Sequence, residues 1–449
     1  MERRHLALAF CALVALGLTG AASVAATPRA PAVSIVGVDA KAGSAAIRWQ
    51  ITPGARVRIE VGLTAEYGVW SKPVRSPESG AGMTKIGGLE PDTTYRIRLF
   101  ASSATHGTEA YGTFTTALTP AWTSATTNGN ALFLDGQPFF PRMVWKQCPW
   151  AYPQSLAAGI NLFMGTECDD AQVQLERLAG RAYSVLDADF GRDGRGVVGY
   201  HLLDEADLHH ETAAGLPVLP SSKVSRRVTF LTLSNHFYSW AAPLAHGRGQ
   251  YPGFVARAEM IGFDLYPLQN WCRKDTLPAV YDAQRELVDL AAGKPTFQWI
   301  EATQMEICLG LEPSPAIVRA ETWLAIAGGA RAIGFFPDYW RPDVAAEIRR
   351  INDQITPLSP ALLASEVPVV FDEKGLVKVG ARRYNGATYV IAANASFARQ
   401  RETFTVPGLE ATQMRVFGED RIVAVHNGRI TDGFRGLAVH VYIADPSIR

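Results

Sequence analysis

The 449-residue sequence lacks the features that mark nucleic-acid and membrane proteins. It has no excess of either charge, because 43 Lys and Arg residues balance 43 Asp and Glu residues. Phosphate binding gains its affinity from a concentrated positive field, so this balance argues against a nucleic-acid binder or a membrane-surface protein. Hydrophobic residues make up 47% of the chain and charged residues 19%, which predicts large buried cores. At about 150 residues per domain, the length indicates roughly three domains.

Some catalytic motifs are also missing. Neither the phosphate-binding loop G-x-x-x-x-G-K-[ST] nor the serine-hydrolase elbow G-x-S-x-G occurs, which disfavours a P-loop nucleotide enzyme and a serine hydrolase. His201, Glu205 and His209 are spaced as metal ligands on one helix face would be, but His201 falls within a strand pattern. We therefore predict neither a metal site nor a cofactor.

The N-terminus has the pattern of a secretory signal. Basic residues at positions 3 and 4 precede an apolar run from Leu6 to about Leu18, and small residues follow to Ala26. The apolar run is shorter than the roughly 20 residues that span a bilayer. We expect residues 1–26 to be cleaved, which predicts a secreted or periplasmic protein without stable membrane insertion.

Residues 32–118 alternate in short apolar and polar stretches, as strands of an antiparallel sandwich do. The stretch Leu89–Tyr95 resembles the corner before the sixth strand of fibronectin type III domains, in which a Tyr hydroxyl ties back to the backbone. We predict a fibronectin type III-like β-sandwich. Residues 366–445 alternate in the same way and predict a second antiparallel β-sandwich.

The middle part, residues 129–362, alternates apolar strand-like runs with helical patterns, which predicts a central (β/α)8 TIM barrel. Only ten residues, 187–196, separate the third and fourth strands, so either the third helix is missing or one strand is misassigned. The eight predicted strands are Phe139–Trp145, Asn161–Met164, Tyr183–Leu186, Val197–Leu203, Val228–Leu233, Met260–Leu265, Pro295–Ile300 and Ala332–Phe336.

Four cysteines remain outside the signal, an even number that in an oxidising compartment predicts two disulfides. Cys148 and Cys168 follow the first and second barrel strands, while Cys272 and Cys308 follow the sixth and seventh. Of three possible pairings, only Cys148–Cys168 with Cys272–Cys308 joins neighbouring loops twice, and we predict that one.

Active sites of such barrels lie at the C-terminal ends of the strands. Glu205 follows the fourth strand and Glu301 follows the seventh. Two opposed carboxyls are what cleavage of a glycosidic bond requires, one to protonate the leaving oxygen and one to attack or stabilise the anomeric carbon. Taken singly, Glu205 fits equally well as a residue in a helix's first turn, and Glu301 as a solvated loop residue. Their joint placement favours catalysis.

Other polar and aromatic residues at the strand ends are candidates for binding a sugar. Asn235 and His236 offer groups for sugar hydroxyls, or are ordinary loop residues. Tyr266 either orients the nucleophile or packs beside Pro267. The full set of predicted substrate-binding residues is Asp204, Tyr200, Asn235, His236, Tyr266, Trp299, Trp145 and Trp340.

Three segments make the barrel resemble the retaining glycoside hydrolases of clan A, in their β-galactosidase-like branch. These segments are Leu132–Pro141 before the first strand, Arg319–Phe336 through the eighth strand, and Leu437–Tyr442 near the end. The resemblance implies Glu205 as acid/base and Glu301 as nucleophile. Two features depart from the family: Asp204 stands where the family has Asn, and the second strand, Asn161–Glu167, lacks the usual Arg.

The sequence thus predicts a secreted glycoside hydrolase that cleaves β-glycosidic bonds of an oligo- or polysaccharide with retention, by double displacement. The alternative is a catalytically silent carbohydrate-binding protein on a glycosidase-like barrel. The oligomeric state, the sugar and the linkage stay open.

Overall fold

The computed structural model describes residues 30–41, 43–89, 92–103, 107–117, 124–168, 171–189, 194, 196–220, 226–337, 339–371 and 375–444. The predicted signal, residues 1–26, lies outside them. Among the described residues, no helix is both long and apolar enough to cross a membrane.

The N-terminal region consists of two antiparallel sheets around one core. One sheet has the order β1-β2-β6, and the other has the order β4-β3-β7-β8 with β5 added at β3. Ile47 and Trp49 of the first sheet pack with Ile59 and Leu99 of the second. The strands are β1 (Val33–Ala40), β2 (Ser44–Ile51), β3 (Arg56–Gly62), β4 (Val69–Trp70), β5 (Val74–Arg75), β6 (Ala81–Gly87), β7 (Thr94–Ser102) and β8 (Gly107–Thr115). The predicted antiparallel architecture is confirmed, while the kinship with fibronectin type III domains stays a prediction.

A three-stranded meander closes the N-terminal end of the barrel. It consists of β9 (Ala125–Asn128), β10 (Ala131–Leu134) and β11 (Gln137–Phe139). Leu132 and Phe139 pack under the barrel against Met143. Phe139 was predicted to begin the first barrel strand. It belongs instead to β11, which pairs antiparallel with β10, so the barrel begins at Arg142.

Eight parallel strands then form a closed barrel, and every predicted barrel strand is present. They are β12 (Arg142–Trp145), β13 (Leu162–Met164), β14 (Tyr183–Asp187), β15 (Val197–His201), β16 (Val228–Leu233), β17 (Met260–Asp264), β18 (Thr296–Glu301) and β19 (Ala332–Phe336). We number them barrel strands one to eight.

Helices cover the outside of the barrel unevenly. The described residues between β14 and β15 are not helical, so of the two alternatives for this segment the missing third helix fits them. The helices are α1 (Tyr152–Ala157), α2 (Ala171–Leu178), α3 (Ala206–His209), α4 (Tyr251–Ala256), α5 (Pro278–Leu290), α6 (Pro315–Gly328) and α7 (Pro342–Leu362).

The C-terminal region is a nine-stranded antiparallel sheet that folds around its own core and packs against α6. The hairpin of β26 and β27 has a strong turn signal, Asn427-Gly428, between its two strands. Both residues have positive φ, 53° and 75°, as a two-residue hairpin turn of type I′ requires. The strands are β20 (Ser365–Val367), β21 (Val370–Phe371), β22 (Val377–Tyr384), β23 (Ala387–Asn394), β24 (Gln400–Thr405), β25 (Gln413–Val416), β26 (Ile422–His426), β27 (Arg429–Phe434) and β28 (Val439–Ala444).

Candidate active site

Three carboxyl groups meet at the C-terminal mouth of the barrel. Asp204 and Glu205 follow strand four, and Asp264 is the last residue of strand six. Met260 packs inside the barrel and Phe263 outside it, so the alternation of a strand turns Asp264 inward. The Tyr266 hydroxyl donates a hydrogen bond to Asp264 Oδ1 at 3.1 Å.

The charges of Asp204 and Glu205 reach Asp264 across the mouth. Burial, followed by the charges of Asp204 and Glu205, raises the pKa of Asp264 well above its ordinary range. Burial, followed by the charges of Asp204 and Asp207, raises the pKa of Glu205. Like charges in a sheltered site disfavour ionisation of all members at once. Burial and the neighbouring negative charges therefore favour the protonated form of Asp264.

Glu205 has a left-handed backbone conformation, with φ 39° and ψ 50°. A non-glycine residue in this region is strained, and such residues cluster at functional sites. Lys146, the residue after strand one, also has a positive φ, of 30°. The chain thus departs from regular geometry at two strand ends that face the mouth.

Aromatic rings form the floor beneath the carboxyls. The Trp145 ring makes edge contacts with Trp299, at 5.4 Å between centroids, and with His201, at 5.2 Å. Thr232 supports two of these rings: its hydroxyl lies 3.0 Å from His201 Nε2 and accepts from Trp299 Nε1 at 3.4 Å. Trp145 is partly exposed and Trp299 is buried, so Trp145 presents the accessible face.

Basic groups approach the same carboxyls from strands one and four. The charges of His201 and Lys146 oppose the effect of burial, which raises the pKa of Asp204. Asp187, at the end of strand three, lies 3.8 Å from His201 Nδ1. The mouth is therefore a mixed polar surface with an acidic excess.

Glu301 has a different setting from the mouth carboxyls. It is fully buried, and its two oxygens accept the backbone N–H groups of Leu268 at 2.9 Å and Gln269 at 2.7 Å. Glu301 also interacts with Glu321 of the outer helix α6. Burial raises the pKa of Glu301. These contacts tie the Glu301 carboxyl to the loop that follows strand six.

The other predicted binding residues are divided between the mouth and the layers behind it. His236 acts electrostatically on Glu205, and its Nδ1 lies 2.6 Å from the Ala242 carbonyl oxygen. Asn235 is buried, 4% exposed. Trp340 is partly exposed and donates from Nε1 to Gln147 Oε1 at 3.0 Å.

Tyr200 requires a correction, because it does not face the mouth. It is fully buried in an outer cluster with Ala171 of α2, Leu186 and Val197. The strand places it on the helix-facing side of the barrel, where it packs and cannot reach a sugar in the mouth.

Both predicted disulfides are confirmed. Cys148 is bonded to Cys168 with Cα atoms 5.0 Å apart, and Cys272 to Cys308 with Cα atoms 5.3 Å apart. Each bond joins neighbouring loops at the C-terminal end of the barrel strands. No group of three or more His, Cys, Asp or Glu side chains in the described part of the chain is arranged to hold a metal ion.

Asp264 was missed in the sequence, although a signal for it existed. It lies in the predicted sixth strand and is followed by Tyr266-Pro267. Ending that strand one residue earlier, at Asp264, would have put a carboxyl at a strand end, which is the rule that selected Glu205. Lys146 and Asp187 meet the same rule after strands one and three.

Comparisons with known proteins give remote structural likenesses. No protein-family model and no curated protein sequence matches the chain. A GH30 endoxylanase from Clostridium papyrosolvens is similar with a TM-score of 0.41 and 11% identity, over 72% of this chain and 98% of that one. A putative alpha-galactosidase/melibiase from Bacteroides fragilis has a TM-score of 0.41 and 12% identity, over 92% and 98%. A beta-glucuronidase from Ruminococcus gnavus has a TM-score of 0.38 and 8% identity, over 72% of this chain and 68% of that one. Similarity at this level is too low to carry an activity across.

Proposed function

We propose that the protein hydrolyses glycosidic bonds of an oligo- or polysaccharide at the barrel mouth, with Glu205 and Asp264 as its two working carboxyls. The observation that carries the proposal is that burial, together with the charges of two carboxyls after strand four, raises the pKa of the carboxyl that ends strand six, above an aromatic floor. Two carboxyls whose different environments give them different pKa values are suited to act as acid and base in one reaction.

Asp264 is the proton donor in this scheme. Burial and two neighbouring carboxyls raise its pKa and favour its neutral form. Its proton passes to the glycosidic oxygen as the bond between that oxygen and the anomeric carbon breaks. Glu205 is half-buried and carries the charge. This assignment differs from the sequence prediction, which gave the acid role to Glu205.

The retaining course that the family resemblance implies is part of the proposal. The Glu205 carboxylate forms an ester bond to the anomeric carbon as the leaving group departs with the proton from Asp264. A water molecule then attacks that carbon, gives its proton to the Asp264 carboxylate, and releases Glu205. Two inversions at one carbon give net retention.

The sequence-based role of Glu301 as nucleophile is replaced in this proposal. A nucleophile must be within reach of the anomeric carbon, whereas the Glu301 side chain has no exposed surface and its two oxygens are held by backbone N–H groups. We assign Glu301 the role of positioning the loop after strand six, which carries Tyr266.

The remaining mouth residues supply sugar-binding surfaces in the proposal. Trp145 offers an apolar face for the C–H groups of a sugar ring. Asp204 accepts hydrogen bonds from sugar hydroxyls when ionised, where an Asn side chain would both accept and donate. The two disulfides fit an oxidising compartment, which supports secretion or a periplasmic location.

The test is hydrolysis of a panel of aryl glycosides and soluble polysaccharides by wild type, Glu205→Gln and Asp264→Asn. Glu306→Gln is the matched control, since Glu306 is exposed and lies five residues after Glu301. We expect wild type and control to hydrolyse the same substrate and both mouth variants to lose nearly all activity. Activity that survives in both mouth variants would rule out the assignment. Binding without hydrolysis by wild type would support a carbohydrate-binding protein instead.

A further inference from the structure

Two tryptophans outside the proposed catalytic site are strongly exposed. Trp150 is 77% exposed and Trp240 is 72% exposed. A large aromatic ring is normally among the more buried residues of a folded protein. An exposed indole ring on an ordered loop is therefore a candidate contact surface for a ligand.

The two rings lie on opposite sides of the barrel mouth. Trp150 is on the loop after strand one, and Trp240 is on the loop after strand five. In a closed barrel of eight strands, strands one and five are diametrically opposed. Both loops leave the C-terminal ends of their strands. The mouth, with Glu205 and Asp264, therefore lies between the two tryptophans.

The loop that carries Trp150 is fixed on both sides of that residue. The disulfide from Cys148 joins it to the loop after strand two, and the Ala151 N–H donates to the Cys148 carbonyl at 2.9 Å. Tyr152 then begins α1 and packs edge-on against Phe163 at 5.3 Å. The exposed ring is thus presented from a braced turn.

The loop that carries Trp240 is fixed by side chains from two other segments. The Arg248 guanidinium donates to the carbonyl oxygens of His236 at 3.2 Å and Tyr238 at 2.9 Å, and also to that of Ala241. Glu286 of α5 accepts the backbone N–H and the hydroxyl of Ser239, at 2.8 Å and 2.5 Å. Both neighbours of Trp240 in sequence are therefore anchored, while its ring stays in solvent.

We propose that Trp150 and Trp240 are outer sugar-binding faces for one neutral polysaccharide chain that crosses the mouth from the loop after strand one to the loop after strand five. The location rests on the proposed function, because the chain would pass over Glu205 and Asp264. An indole ring is uncharged and packs against the C–H faces of a sugar ring. Rings held in place before binding lose little conformational freedom when the ligand arrives. The substrate class is then an extended polymer, because one chain has to contact rings on both sides of the mouth.

The experiment is affinity gel electrophoresis of the full chain in gels that contain barley β-glucan, arabinoxylan or galactomannan. The variants are Trp150→Ala and Trp240→Ala. The matched control is Tyr111→Ala, because Tyr111 is 65% exposed but lies on β8 of the N-terminal sandwich. Circular dichroism spectra of all four proteins establish that each is folded.

We expect at least one polymer to retard wild type and the control equally, and each Trp variant to bind it about tenfold more weakly, because each substitution removes one aromatic contact with the polymer. Equal retardation of wild type and both Trp variants would overturn the proposal. The proposal would also be overturned if none of the three polymers retarded the wild-type protein. The proposed function is tested separately, by hydrolysis of aryl glycosides by the wild-type protein. If wild type binds a polymer through the two tryptophans but hydrolyses no glycoside, the proposed function fails and this inference stands.

Discussion

The Glu301 carboxylate accepts the backbone N–H of Leu268 at 2.9 Å, and this bond ties the end of strand seven to the loop after strand six. The second Glu301 oxygen accepts the Gln269 N–H, and Cys272–Cys308 joins the same two loops covalently. Tyr266, which bonds Asp264, lies two residues before Leu268. The position of the Asp264–Tyr266 pair therefore depends on Glu301.

Glu301→Ala removes both acceptors and leaves two buried N–H groups without partners. We expect the free energy of unfolding to fall by about 2–6 kcal/mol, since each of the two buried unsatisfied groups costs about 1–3 kcal/mol. Urea unfolding followed by fluorescence measures the loss. The control Glu306→Ala, on the exposed part of the next loop, should change stability by less than about 0.5 kcal/mol. Full stability in Glu301→Ala would contradict the positioning role.

Glu321→Gln should make the protein more stable at neutral pH. Burial, followed by the charge of Glu301, raises the pKa of Glu321 well above its ordinary range. A carboxyl with a raised folded-state pKa favours folding most below its unfolded-state pKa, and that stability is lost as pH rises through the folded-state value. Gln imitates the protonated form at every pH. In thermal unfolding, the variant should therefore have a higher Tm than wild type at pH 7, and the difference in Tm should become smaller toward pH 4. A gap of the same size at both pH values would argue against this titration.

The rate of hydrolysis should have a bell-shaped pH profile displaced above the usual carboxyl range. Glu205 must be ionised and Asp264 protonated, and the pKa of each is raised. Activity then rises as pH passes the lower apparent pKa of the interacting pair and falls as it passes the upper one. The profile of kcat/KM on an aryl glycoside checks this. With a substrate whose leaving group departs without protonation, the kcat/KM profile of Asp264→Asn should no longer fall at alkaline pH. If the fall persists in this variant, it is caused by another group.

Glu366→Gln should weaken the junction between the barrel and the C-terminal sheet. Glu366 lies 3.6 Å from Arg331 and 3.3 Å from Arg382, and both guanidiniums are 1% exposed. Burial raises the pKa of Glu366, but three guanidiniums outweigh it and lower the pKa overall. Losing the carboxylate leaves two buried cations without their partner, at a cost of about 3 kcal/mol.

The same shift fixes how the Glu366 contribution varies with pH. Because its folded-state pKa is lowered, the stabilisation is present above the unfolded-state pKa and is lost as pH falls through the folded-state value. Urea unfolding at pH 7 and at acidic pH measures both effects. Asp353→Asn is the control, since Asp353 pairs with Arg349 on the surface and should cost less than about 1 kcal/mol. Equal losses in the two variants would contradict the network.

The barrel was predictable because each of its strands is a short apolar run with its own boundaries. The disulfide pairing followed from the same map, since Cys148 and Cys168 end up on neighbouring loops. Residues near strand ends were harder to assign. Tyr200 was placed at the mouth because it lies near the end of strand four, yet strand alternation turns it to the helix layer. Side-chain direction depends on where a strand ends, and a change of one residue reverses it.

The choice between Asp264 and Glu301 as the proposed partner of Glu205 could not be made from the sequence, for a related reason. Asp264 and Glu301 both end strands, at β17 and β18, so the strand-end rule selects both. The proposal prefers Asp264 because the backbone N–H groups of Leu268 and Gln269 hold Glu301, and those groups belong to a loop whose course follows from tertiary packing.

The most direct test of the Glu205–Asp264 pair is the dependence of Asp264→Asn on the leaving group. The measurement is kcat/KM for the phenyl and the 2,4-dinitrophenyl glycoside of the sugar that wild type hydrolyses. Phenol needs a proton to depart, so the phenyl substrate should lose about 10²- to 10⁴-fold, while the dinitrophenyl substrate should lose far less. The assignment of Asp264 as the acid would be contradicted if Asp264→Asn lost kcat/KM equally on both substrates. It would also be contradicted if Asp264→Asn were unaffected and Glu301→Gln showed the selective loss on the phenyl substrate.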